Sequence, residues 1–131
     1  MEETNQTPKG LLWASYILQG IVTIMFLMGA FMNLLQTESA IAGATSLGYP
    51  ETSVVYLGIV LLVSTILYVI PKTSILGALL LTGWLGGAVA SHVIHGDPMF
   101  NTMFPIVFGV VIWLSLWLRD QKLKAVFPFK S

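Results

Sequence analysis

The 131-residue chain contains no cysteine. That excludes disulfides, thiolate metal sites and covalently attached c-type haem. Charge is nearly as scarce. Only 9% of residues are charged, six basic against six acidic, and the formal net charge is zero. A soluble domain carries about 25% charged residues, and a balanced chain offers no basic footprint for nucleic acid. No glycine-rich phosphate loop, nucleotide motif or paired carboxylate occurs, and no residue is assigned a catalytic role. Ser91 precedes His92, but neighbours on a helix point about 100° apart, so the two do not form a nucleophile–base dyad. No acidic residue falls in the middle of an apolar run, which argues against a proton-coupled carrier or pump.

What remains is hydrophobic. The apolar share is 56% and the mean hydropathy is +0.84. The apolar residues gather into four runs with the few charges between them. This predicts a single all-α domain, a four-transmembrane-helix bundle over residues 1–131, with spans at about 10–35, 53–70, 74–95 and 102–118 and a tail at 119–131. The first run is far longer than the roughly 7–15 residues of a signal-peptide core. Glu2 and Glu3 also spoil a basic leader, so a retained helix is expected.

The first run carries a polar stripe. Tyr16, Gln19, Thr23, Asn33 and Thr37 fall on one helical face with Phe26 and Ala30. Amides in hydrocarbon must find partners, so this face is expected to point into protein, either as interhelical hydrogen bonds or, at Asn33, as the lining of a ligand pocket. Ala40, Ile41, Ala44 and Leu47 recur at helical spacing and predict a short interfacial helix between spans one and two, ended by Gly48 and Pro50. Thr52 or Ser53 is the expected cap of span two, and Thr73 or Ser74 that of span three. Pro105 is placed in the first turn of span four, where proline costs little.

The third run is the one around which the rest is arranged. Gly83, Gly87 and Ser91 are spaced by four, the small-xxx-small pattern that lets helices approach closely, within the chain or in a homo-oligomer. Leu81, Trp84, Ala88, His92 and His95 lie on the other side. With the N-terminus inside, Lys9, Lys72, Arg119, Lys122, Lys124 and Lys130 all become cytoplasmic, while the outer loops carry Glu38, Glu51 and Asp97. Six against none is a positive-inside pattern with both termini cytoplasmic. Trp13, Tyr68 and Trp117 then mark the inner interface, and Tyr49 and Tyr56 the outer one. The basic tail with its apolar insertions suits a surface of anionic lipid.

His92 and His95, three apart on one helix face, then lie at the outer end of span three, at the depth of Asn33. Four readings stay open. The plainest is a pair of interfacial polar residues. A second is a quinone site, with His92 hydrogen-bonded to a carbonyl and Trp84 as a wall. A metal held by the two histidines and Asp97 is disfavoured, because the motif lacks a partner from another segment. Bis-histidine haem is disfavoured because only one helix has histidine.

The segments LGYPE at 47–51, LYVIPKTSILGALLLTGWLGGAVASHV at 67–93, GDP at 96–98, FP at 104–105 and WLSLWLRD at 113–120 resemble the DoxX-like family of small four-helix membrane proteins. The resemblance runs from Leu47 to Asp120. It implies a bacterial inner-membrane protein. Some relatives in the wider family are linked to quinone-dependent sulfur oxidation or to membrane oxidoreductase complexes. His92 matches the family's histidine in GGAVATH-like segments, and His95 falls on no recurrent position. Many relatives place an acid soon after the glycine matching Gly58; here that position is Leu61. Two functional classes follow: a non-catalytic or accessory subunit of a membrane assembly, packing through Gly83, Gly87 and Ser91, and a redox-associated protein binding a quinone near His92, His95, Asn33 and Trp84.

Overall fold

The structure is a computed structural model that describes residues 7–130. Glu2 and Glu3, on which the signal-peptide expectation turned, lie outside the described residues. The described chain is helical, in the order α1 Lys9–Leu34, α2 Glu38–Ser46, α3 Ser53–Val69, a single 3-10 turn Pro71–Thr73, α4 Ser74–His95, α5 Met99–Trp117 and α6 Gln121–Val126. By length and composition three segments qualify as membrane spans: α1, the 3-10 turn with α4, and α5; α3 is a shorter apolar helix.

The four long helices close into a ring. Helix α1 packs on α3, α3 on α4, α4 on α5, and α5 back on α1. The core runs down the centre through Val22, Phe26, Ala30, Leu61, Tyr68, Leu81 and Ile112. The outward faces are apolar, with Ile24, Val110 and Ile94 all well exposed. This is the reverse of a soluble bundle and suits a lipid surround. The stripe on α1 points inward for the most part: Gln19, Phe26 and Ala30 are buried. Gln19 donates from Nε2 to the carbonyl of Tyr68 at 3.0 Å, across the α1–α3 interface. Tyr16 departs from the stripe and stays exposed beneath the Arg119 guanidinium, 4.3 Å from its ring centroid.

Helix α2 is capped as its spacing predicts. The Thr37 hydroxyl accepts from the Ala40 N–H at 3.2 Å, and the chain leaves through Gly48 at φ +96°. Thr52 and Thr73 occupy the expected cap positions of α3 and α4, but neither side chain makes the cap bond. Turns run directly into both helices instead, and the Ser53 hydroxyl bonds the carbonyl of Pro50.

Two expectations are corrected. Helix α5 begins at Met99, directly after Pro98 as its N-cap, so Pro105 lies beyond the first turn and removes the N–H that would have bonded the Asn101 carbonyl. Tyr68 is no interfacial aromatic; it is fully buried, with its hydroxyl 2.5 Å from Ser115 Oγ on α5.

The close approaches are made by glycines other than Gly83 and Gly87. A Cβ on Gly77 would stand 2.1 Å from the backbone nitrogen of Tyr68, whereas one on Gly83 or Gly87 would meet nothing within 4 Å. Within one chain, therefore, the Gly83/Gly87 comb seats no neighbouring helix. Gly77→Ala is expected to destabilise by more than the ~1–3 kcal/mol usual for an overpacked core, because backbone must move. Gly83→Ala is expected to leave stability unchanged or slightly raised. Thermal unfolding of both variants in mild detergent measures the contrast.

Candidate functional site

Small residues on α4 leave space where a close-packed bundle would have none. Gly83, Gly87 and Ala88 face the half of the ring towards Asp97, and together with residues from all five helices α1 to α5 they line a partly open cavity of about 700 Å³. That is within the roughly 300–1,000 Å³ of small-molecule sites. Its walls are mostly apolar, with Phe26, Leu61, Phe104 and Phe108 prominent. Phe26 meets Phe108 edge to face at 5.9 Å between centroids, and Phe104 lies 6.2 Å from Phe108. Helix α2 closes the cavity from above through Ser39, Ala40, Gly43 and Ala44.

The polar groups around this space come from several elements. Asn33 reaches it from the last turn of α1. Its position depends on Gly58 of α3, where a Cβ would lie 2.9 Å from Asn33 Cβ and 3.1 Å from the Ala30 carbonyl oxygen. Trp84 lines the cavity, and its indole N–H is buried without a hydrogen-bond partner. Tyr49, just after the left-handed Gly48, hydrogen-bonds Ser91 with its hydroxyl and so ties the α2–α3 connection to α4. The Ser91 hydroxyl also donates to the Gly87 carbonyl at 2.8 Å. Asn101 adds an amide from α5.

The histidines are organised by Asp97. Helix α4 ends at Gly96 in the left-handed conformation, φ +79°, which turns the chain back so that Asp97 faces the last turn. Its two carboxylate oxygens take one imidazole each: Oδ2 meets His92 Nδ1 at 2.5 Å and Oδ1 meets His95 Nδ1 at 2.6 Å. The hydrogen bonds from His92, then from His95, hold the Asp97 carboxyl below the usual carboxylate range. An ionised carboxylate only accepts, so each Nδ1 donates to Asp97 and each Nε2 is left to face away from it. His92 lines the cavity; His95 does not, and its side chain is 45% exposed. Of the four sequence-predicted ligand residues the structure thus brings Asn33, Trp84 and His92 to one cavity and leaves His95 behind Asp97. Among the described residues no three histidine, aspartate or glutamate side chains are grouped to hold a metal.

The opposite end of the ring is sealed. Arg119, just past α5, donates to Ser15 Oγ at 3.2 Å, to the Ser115 carbonyl at 3.2 Å and to Gln19 Oε1 at 2.5 Å. Sequence reading missed this hub, and it expected aromatic walls without naming the phenylalanines. These had a visible signal: Phe100, Phe104 and Phe108 recur at intervals of four along α5.

Asp97→Asn removes the charge from both histidine bonds. Because the carboxyl is depressed in the folded chain, its contribution is present above the ordinary carboxylate pKa of about 3.9 and lost as pH falls through the lowered value. The parent chain is therefore expected to unfold at higher temperature than Asp97→Asn at pH 6. The gap is expected to close as pH falls below the ordinary carboxylate range and through the lowered Asp97 value, as read by thermal unfolding across pH.

No curated protein and no solved structure matches this chain. The family comparison does: residues 17–115 match the DoxX-like family, a stretch that takes in α2, α3 and α4 whole and most of α1 and α5. By that match, and with its long apolar helices, the chain belongs to the DoxX-like family and is a multi-pass membrane protein.

Proposed function

We propose that this protein holds a small, mostly apolar molecule bearing a carbonyl or hydroxyl oxygen, of which a quinone is the closest chemical match, in the cavity between α1, α4 and α5. The observation that carries the reading is the joining of Asn33, Trp84 and His92 around one apolar space. A quinone ring fits between Trp84 and the phenylalanines. Its carbonyl oxygens require donors, and the Asn33 amide and the unpartnered Trp84 indole are donors. His92 accepts at Nε2 from a quinol hydroxyl, and donates to a quinone carbonyl once protonated. Asp97 fixes which nitrogen does this. The chain's part is accessory: it holds the molecule for an oxidoreductase partner in the same membrane.

The same proposal sets the protein in the bacterial inner membrane with four spans. Helix α3 has 17 residues, about 26 Å at 1.5 Å per residue, against a hydrocarbon core of about 30 Å. It lies alongside α1 and α4 in the ring, which supports its crossing with them. The cations follow α5, open α1 or sit in the 3-10 turn, which supports cytoplasmic termini.

Two measurements test this. Equilibrium binding of a short-chain ubiquinone analogue to the detergent-purified chain is expected to weaken about tenfold in His92→Ala, the worth of one charge-capable hydrogen bond. It is expected to vanish in Ala88→Phe, which fills the space. Unchanged binding in both variants overturns the site. For orientation, phosphatase fusions after Gly48 and after Pro98 are expected to be active and one after Lys72 inactive; the reverse pattern inverts the molecule.

A further inference from the structure

A second concavity lies on the outside of the ring, between α4 and α5, and encloses about 580 Å³. Leu85, Gly86 and Val89 form one side and Pro105, Gly109 and Trp113 the other. It is open because of its glycines. A Cβ on Gly86 would meet nothing within 4 Å, and one on Gly109 would only touch Leu85 at 3.9 Å. Thr82, the polar side chain in its lining, is already occupied, since its hydroxyl accepts from Trp113 Nε1 at 2.7 Å and donates to the Ala78 carbonyl.

The groove has a direction. From Pro105 to Trp117 it follows α5 for twelve steps, about 18 Å at 1.5 Å per residue. That is close to the depth of one leaflet, about half of the 30 Å hydrocarbon core. At its far end the chain folds back over it. Phe127 stacks on Trp113 at 4.9 Å between centroids, the Trp117 indole donates to the Phe127 carbonyl at 2.9 Å, and Lys124 Nζ sits 4.9 Å above the Trp117 ring. An apolar slot of leaflet depth thus ends at an aromatic pair with a cation above it.

Charge at this end is one-sided. Lys9, Lys72, Arg119, Lys122, Lys124 and Lys130 all belong to it. Among the described residues its carboxylate is Asp120, whose Oδ1 is committed to the Leu123 N–H at the start of α6. Arg119 is turned inward to Ser15, Ser115 and Gln19. Lys124 is left over the Trp117 ring, with no acid paired to it among the described residues.

We infer that the α4–α5 groove is a binding site for one anionic phospholipid, its acyl chain along Gly86 and Gly109 and its phosphate at Lys124. The site is separate from the interhelical cavity and stands or falls independently of it. A zwitterionic lipid offers the same chain but surrounds its phosphate with a counter-charge, so the lysine distinguishes the two.

The test is native mass spectrometry of the full chain, released from detergent after incubation with phosphatidylglycerol or phosphatidylcholine of identical acyl chains. The parent is expected to retain one phosphatidylglycerol at least about fivefold more often than phosphatidylcholine, the effect of one basic residue at an anionic surface. Lys124→Gln is expected to abolish that preference while still retaining lipid. Gly86→Leu, whose side chain meets only the groove, is expected to lose the retained lipid of both kinds while unfolding at the parent's temperature. Equal retention of the two lipids by the parent overturns the inference. So does a preference that survives Lys124→Gln, or retention that survives Gly86→Leu, since either means annular lipid only.

Discussion

The bundle depends on how the end of α3 satisfies its carbonyl groups where no water is at hand. Pro71 has no N–H, so the Leu67 carbonyl loses its helical donor. The Thr73 hydroxyl replaces it at 2.8 Å. The next carbonyl, that of Tyr68, is taken by Gln19 Nε2 from a different helix. A helix end whose buried carbonyls would be costly to leave unpaired is thereby made into the joint between α1, α3 and α4. Gly77 completes it, because only a residue without a side chain lets α4 descend against the Tyr68 backbone. The Tyr68 hydroxyl then carries the connection on to Ser115 of α5, so one residue is hydrogen-bonded to α1 and α5 and packs against α4 at Gly77.

Sealing one end this tightly leaves the other free to open. Arg119 draws α1 and α5 together at the basic end through Ser15, Gln19 and Ser115. At the acidic end the helices are held by lighter means: the Tyr49–Ser91 bond and the glycine contact between Gly58 and Asn33. Helix α2, with no buried residue of its own, roofs the gap rather than filling it. The asymmetry between a cross-linked base and a loosely roofed top is what makes a cavity at one depth and not along the whole axis.

The architecture was legible in the sequence because hydrocarbon imposes a coarse, strong rule: long apolar runs become helices, and their amides turn inward. Gln19 obeyed it. The surface helix and its Gly48 exit were legible because local turn chemistry decides them. The meaning of small residues was not. Gly83 and Gly87 create an absence of side chain, and an absence is filled by a partner helix or by nothing, depending on distances that no spacing rule contains. Gly77 and Gly58, equally small, turned out to be the tight contacts. Pro105 was misplaced for a similar reason: Pro98 already served as the cap, and one proline cannot reveal that another has pre-empted its role. Arg119 was invisible as a hub because Ser15 and Gln19, its partners on α1, lie about a hundred residues away in the chain.

Pro105 shows how the site and the fold share parts. It is buried in α5, and it lines both the interhelical cavity and the outer groove. A helix interior tolerates proline poorly, since the ring displaces a hydrogen bond and crowds the preceding turn. Here the displaced carbonyl is that of Asn101, which borders the cavity. The residue that most weakens α5 as a helix therefore stands in the wall between two hollow spaces, beside a carbonyl deprived of its i+4 N–H donor. In a membrane such an acceptor needs a donor from elsewhere.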